Sequence, residues 1–421
     1  MLRILAAILL FSSELALAQE LKTIMPKEFV AQNPSIERKA IVKSITQQFE
    51  GKSVSQAQLD SLWNDSEARE ALHLNRFQII NQKLYVAGVE ETSPHFRSYI
   101  QYFQRLINQY KVQDVDFMIH ILDELRHVGL NEPFIKKAKD IPIFMMSKDL
   151  NDLDESQKLI LPEPFMLWDN YAELLRKIKR ANASNLWENK IDKIYWRGSS
   201  TGNASLPYNL NNLAKLPRLK LAILSKLYPD IIDARFTYYF DEAFEEDKNG
   251  ELRKILDLLF GENLEKIAEV DHLKYKYLIS IDGNTCAWVR IPWIMYSNSV
   301  LIKQETKKVE WFYPALKPYV HYVPINENLT DIFKQFEWMK QHDEELKQIS
   351  NNANNFVQNE LSPEHIDAHM VIILNKYAEI QQDKKLSISL PSAEETRSFK
   401  GVSLAVIARI KRNFINWVKH L

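Results

Sequence analysis

Apolar residues recur at three- and four-residue spacing through 56–71 and 98–110, the pattern of helices with one buried face. From about 20 to 110 the chain therefore reads as mostly helical. Short apolar, β-rich runs follow at 115–122 (VDFMIHIL), 141–146, 194–196, 277–281 and 300–302, with helical stretches between several of them. Strands alternating with helices imply a parallel α/β sheet. Their grouping before about 150 and after about 190 suggests two α/β lobes. The stretch 330–351 reads as one long helix, with Thr330 as its N-cap and Asp331 in the first turn.

The expected organisation has five parts: a signal-like or apolar segment at 1–18, a first lobe at 19–190, a second lobe at 191–360, a helical closing segment at 361–391, and a basic amphipathic helix at 392–421. Residues 1–18 combine Arg3, an apolar run from Ile4 to Phe11 and the small-residue site Ala16-Leu17-Ala18. They fit an export signal cleaved before Gln19, and equally a buried terminal element. At the other end, Val406, Ile410, Phe414, Trp417 and Leu421 share one helical face and Arg412 and Lys419 the opposite one. Such a helix can lie in an anionic membrane interface or pack on the protein and expose its charges.

Composition narrows the function. The 421 residues hold 54 basic and 55 acidic side chains, for a net charge of -1, which argues against nucleic-acid binding through a global basic field. The one cysteine, Cys286, excludes an intrachain disulfide framework and a Cys-rich zinc site. Nine glycines are too few and wrongly spaced for a dinucleotide fingerprint or a full P-loop. Metal sites are poorly supported. Asp114 and Asp116 have D-x-D spelling at the wrong end of their strand, and Asp152 and Asp154 fall in an acidic loop.

In open α/β sheets ligands bind beyond the carboxyl ends of strands. The residues to inspect are therefore Asp123 after VDFMIHIL, Arg197-Gly198-Ser199 after KIYW, and Asp282-Gly283 after YLISI, with Arg290 beyond. Asp123 suits a general base or a helix N-cap. Arg197 and Ser199 suit a phosphate cradle or an ordinary turn. Asp282-Gly283 suits a turn that aims Arg290 at the same anion, or a plain hairpin.

Taken together, KIYWRGSSTG, LKYKYLISIDG, SNSVLIK and EWFYPALKPYVHYVPI resemble glycosyltransferase family 90, which includes lipopolysaccharide-modifying and capsule-associated glycosyltransferases and protein O-glucosyltransferases. The likeness runs from about Asp114 to about Tyr377. It implies a GT-B-like fold of two Rossmann-like lobes facing a cleft. It also implies inverting transfer from a UDP-sugar, with no cofactor and no required metal. By residue, it implies Asp123 as the base, Ser199 of the R-G-S motif as a donor contact, and Arg218 and Arg290 on the diphosphate; Arg197, Gly198, Asp282 and Gly283 are expected at the same donor site from their places at the strand ends. Trp288 stands where many relatives carry a small serine, and 168–182 departs from the acceptor-contacting segment of the protein O-glucosyltransferases. The expected partners are a UDP-sugar and a lipopolysaccharide-core or other surface-glycan acceptor. The expected place is the cytoplasmic face of a bacterial inner membrane, with peripheral contact through the C-terminal helix. The alternatives are a secretory-pathway O-glycosyltransferase acting on Ser or Thr, exported if 1–18 is cleaved, and a non-catalytic glycan-binding relative.

Overall fold

The computed structural model describes residues 35–393, except 90–92, 123–131, 151–157, 168, 203–208, 210, 211, 213, 214, 240–243, 245, 246, 248 and 262–266. Segments 1–18 and 394–421, Asp123, Asp152 and Asp154 thus lie outside the described residues.

The chain opens with α1 (Ile36–Phe49), α2 (Gln56–Asn64) and α3 (Ser66–Ala71). Ser35 caps α1 by accepting from the Arg38 amide, and Ser55 with Gln58 forms a reciprocal capping box on α2. Asp65 ends one helix and caps the next, so the predicted 56–71 helix is two short ones. A hairpin follows, β1 (Leu74–Ile80) and β2 (Lys83–Gly88), then α4 (Pro94–Gln109), β3 (Val115–His120), α5 (Glu132–Lys137), β4 (Ile143–Met145), β5 (Lys148–Asp149) and β6 (Lys158–Ile160). These strands make a five-stranded sheet in the order β2-β1-β3-β4-β6, β5 excepted. Only β3, β4 and β6 run parallel; β1 is antiparallel to both neighbours. Up to residue 110 the described chain is mostly helical, as expected, but the β1–β2 hairpin interrupts it and makes the first sheet mixed where a parallel one was expected.

After α6 (Asp169–Asn182) the chain builds β7 (Ile191–Ser199), α7 (Pro217–Leu227), β8 (Ile232–Tyr238), α8 (Glu251–Phe260), α9 (Glu269–His272), β9 (Tyr275–Ser280), α10 (Arg290–Met295), β10 (Val300–Glu305), β11 (Lys308–Val309) and β12 (Val323–Asn326). The second five-stranded sheet, β12-β10-β9-β7-β8, is parallel throughout. The antiparallel β5–β11 pair ties the two halves, with Lys148 opposite Val309. The predicted 330–351 helix is α11 (Ile332–Gln341) and α12 (Asp343–Glu360), broken at His342, whose φ of -127° and ψ of 48° leave the helical region. Thr330 is not its cap; its hydroxyl accepts from the Asn326 side-chain amide at 2.6 Å.

Helix α13 (Pro363–Ile380) returns to the first sheet. Tyr377 is fully buried among Phe49, Phe117 and Phe144, and its hydroxyl donates to the Pro142 carbonyl at 2.9 Å. Residues 381–393 then run as a strap along that sheet, bridging Val54 to Gln381 and Tyr85 to Ser392.

Asp116 illustrates how a motif-like acid becomes structural. It sits near the start of β3 with no exposure and forks onto Arg76 of β1, Oδ1 to Nε at 2.8 Å and Oδ2 to Nη2 at 2.6 Å. Gln56 and Gln78 donate to the same carboxylate at 3.2 and 2.7 Å. Asp114 accepts from the Asn81 amide in the hairpin turn.

Candidate functional site

Strand β7 is flanked on one face by Trp196 and on the other by Tyr195, because side chains alternate along a strand. Arg197 shares the Tyr195 face. Its guanidinium lies 4.2 Å over the Tyr195 ring and pairs with Asp233 at 2.8 Å, while donating to the Trp196 and Asp233 carbonyls. Tyr275, stacked on Tyr195 at 3.9 Å, holds the other Asp233 oxygen at 2.8 Å. The Arg197 side chain is thus committed to the sheet face, and what it gives the strand end is its carbonyl.

Arg218, in the first turn of α7, comes to the carboxyl edge from the Trp196 side, with its guanidinium 5.8 Å from that ring. Nε donates to the Asp282 carbonyl at 3.1 Å, Nη2 to the Ile281 carbonyl at 3.1 Å, and Nη1 to the Ser199 carbonyl, the Ser199 hydroxyl at 3.2 Å and the Thr201 hydroxyl. One side chain therefore joins the loops after β7 and β9. Gly283 is what allows the close approach: a Cβ there would lie 2.8 Å from Thr201 Oγ1 and 2.9 Å from Arg218 Nη2. Gly198 leaves room for Trp196, whose ring would meet a Cβ at 2.5 Å.

Arg290 opens α10 and is buried against the same strand end, with Nη2 donating to the Arg197 carbonyl at 2.9 Å. Its Nη1 is buried with no hydrogen-bond partner. Burial, followed by repulsion from Arg218, draws this guanidinium down to about 9. The same arginine and Arg197 help burial push His272 down to about 3, so that imidazole is neutral. Two residues before Arg290, Trp288 is buried with a φ of 51°, a conformation costly for a bulky side chain.

The Asp282 carboxylate is held by other partners. Its Oδ2 accepts from Thr306 at 2.7 Å, its amide donates to Gln304, and burial raises its carboxyl against the pull of Lys303. Ser199, Arg218, Gly283 and Arg290 are brought to one edge, while the Arg197 and Asp282 side chains are not aimed there.

From the first sheet, Ser147 after β4 meets Thr285 hydroxyl to hydroxyl at 2.8 Å. The carboxyl edges of the two parallel strand sets therefore adjoin. Nearby lie two further carboxyls. Glu163 Oε2 accepts from the Phe165 amide at 2.6 Å and Glu310 Oε1 from the Tyr313 hydroxyl at 3.0 Å, leaving Glu163 Oε1 and Glu310 Oε2 buried without partners. Burial raises both, Glu310 to about 8; Glu163 also feels the negative charge of Glu310, and Glu310 that of Asp282. Glu310 stays protonated in the fold at pH values where the unfolded chain, near 4.5, has ionised. Between those values the folded state binds more protons, so stability falls as pH rises through the window. Glu310→Gln is expected to remove that fall; melting temperatures at pH 5 and pH 8 check it, the wild type losing more between them than the variant. No sequence pattern marks these acids, since one follows a short edge strand and the other precedes an aromatic run.

Against known families, the glycosyl transferase family 90 model matches residues 47–387. Mouse protein O-glucosyltransferase 3 is 29% identical over 317 residues, 74% of this chain and 56% of that protein. Bovine protein O-glucosyltransferase 1 is 26% identical over 316 residues, covering 72% and 71%. A solved glycosyltransferase from Rickettsia africae ESF-5 aligns with a TM-score of 0.33 at 13% identity, over 64% of this chain and 68% of the other. The chain spans little more than half the length of the mouse relative. With the match extending over most of its residues, from α1 to the strap after α13, the chain belongs to glycosyl transferase family 90.

Proposed function

We propose that this chain is an inverting glycosyltransferase of GT-B arrangement that moves a glucose- or xylose-type sugar from a UDP-sugar to a hydroxyl. The observation that carries the reading is the pair Arg218 and Arg290. Two guanidiniums converge on one strand edge, one with a buried Nη1 that lacks a partner, and their mutual repulsion is relieved by an anion. A diphosphate supplies both the charge and the acceptor oxygens. Ser199 and Gly283 bring hydroxyl and backbone close to it.

In this reading Asp123, a few residues beyond the end of β3, takes the proton from the acceptor hydroxyl as that oxygen attacks the anomeric carbon. The bond from that carbon to the phosphate oxygen breaks on the opposite face. UDP leaves with the electron pair, its growing charge held by Arg218 and Arg290 without a required metal. The relatives' names favour a protein hydroxyl as acceptor. The basic amphipathic sequence at 400–421 favours a second reading, a membrane-associated surface glycan such as a lipopolysaccharide core, acted on at the cytoplasmic face.

The test is calorimetric titration of UDP, followed by a panel of UDP-sugars with unfolded and folded protein acceptors and with lipopolysaccharide, product configuration being read by NMR. Arg290→Ala is expected to weaken UDP binding and lower turnover roughly 10²–10³-fold. Asp123→Asn should bind UDP normally and lose at least about 10²-fold in turnover. UDP binding unchanged in Arg290→Ala would sink the reading. A mature N-terminus at Gln19 selects the protein acceptor; a retained Met1 selects the cytoplasmic glycan.

A further inference from the structure

We propose that the groove between β2 and the C-terminal half of α4 is a second carbohydrate site, one that holds an uncharged oligosaccharide. It lies at the end of the first sheet away from the transfer edge. β1 runs antiparallel to β3, so the β1–β2 turn sits beside Val115, at the amino end of β3. The six residues of β3 separate this end from the carboxyl edge by about 20 Å. The cavity measures about 820 Å³, within the range of roughly 300–1,000 Å³ typical of small-molecule sites.

Its chemistry is that of a sugar site. Gln101, Gln104, Arg105 and Asn108 fall at spacings of three, four and seven along α4, so they share one face. Across from them stands the half-buried ring of Tyr85 on β2. Each carboxamide offers a donor and an acceptor in one plane, the match for neighbouring hydroxyls of a pyranose, and an aromatic ring suits the apolar face of the same sugar. Gln104 Oε1 is buried with no hydrogen-bond partner. No carboxylate lines the groove among the described residues. Of its two cations, Arg105 is already forked onto Asp367 at 2.8 Å through both terminal nitrogens, and Lys83 stands at the rim, exposed. The groove thus presents neutral amides rather than a forked, charged receptor, which suits an uncharged glycan better than an acidic one.

The site is independent of the transfer reaction, and its test needs no donor. The full chain is applied to an array of uncharged and carboxylate-bearing oligosaccharides, and hits are titrated against wild type, Gln101→Ala/Asn108→Ala and Gln104→Leu. The expected result is binding of uncharged oligosaccharides that falls at least tenfold in both variants, with UDP binding and UDP-sugar hydrolysis unchanged. An array without uncharged hits overturns the proposal. So does binding that the variants retain, which would place the glycan in the transfer cleft, or binding confined to acidic glycans. The exposed pair of substitutions guards against misfolding, since neither Gln101 nor Asn108 is buried.

Discussion

Arg218→Ala is expected to lower transfer roughly 10³-fold and, unlike Arg290→Ala, to lower the melting temperature as well. The double effect follows from what the side chain holds. Arg290 donates to a single carbonyl, that of Arg197, whereas Arg218 donates to the carbonyls of Ser199, Ile281 and Asp282 and to two hydroxyls. Removing it leaves partly buried acceptors from two loops without a donor, at about 1–3 kcal/mol. Arg218→Lys should rescue little of either, because an ammonium is a point charge and cannot span both loops as a planar fork does. Turnover, UDP affinity and thermal melting of the three variants check this. An Arg218→Ala protein that melts early yet transfers normally above a saturating donor concentration would leave the residue with a purely structural role.

The contrast with Arg197 shows how far sequence reaches into this site. The strand KIYWRGS and its end were legible, because a run of large apolar residues stopping at Gly-Ser has few other readings. Which face each residue takes was not. Trp196 belongs to the core on the α7 side and Tyr195 to the core on the other, so Arg197 is turned by the two-residue period away from Arg218. Arg218 itself lies in an ordinary helical stretch that carries no local signal. Only the family likeness singled it out, and only the fold shows that it reaches the strand end.

The hairpin β1–β2 was hidden for a different reason. Its turn is Asn81-Gln82, both with positive φ, at 52° and 57°. A glutamine there lacks the glycine that usually announces such a turn. Its first strand, LNRFQII, is buried at every position although three of its residues are polar, so no two-residue alternation of apolar and polar appears. Those polar residues are tolerated inside because a distant acid, Asp116, meets two of them. A pairing across 40 residues leaves no mark in a local window. The break at His342 is similar in kind: helical periodicity continues through it, and only packing divides α11 from α12.

That buried pair carries the largest expected effect on stability. Arg76→Ala should destabilise the fold by about 3–5 kcal/mol, the usual cost of stranding one member of a buried ion pair. Asp116 has no exposure, and its remaining donors, Gln56 and Gln78, are neutral amides that cannot replace a forked guanidinium. Within the fold, burial draws the Arg76 guanidinium down, but Asp116 and Asp60 outweigh it and raise it overall, so the guanidinium stays charged. The same amides anchor the strap: Gln56 and Gln78 donate to the Ser387 carbonyl at 2.7 and 3.1 Å, and the Ser389 amide donates back to Gln78. Loss of Arg76 should therefore also speed hydrogen exchange at 387–389 ahead of the helices. Urea unfolding with mass-resolved exchange measures both. The double replacement Arg76→Met with Asp116→Leu should recover most of the stability, because no charge is then left stranded in the interior. A single variant as stable as the wild type would mean that water already serves the carboxylate, and that this network does not hold β1 to β3.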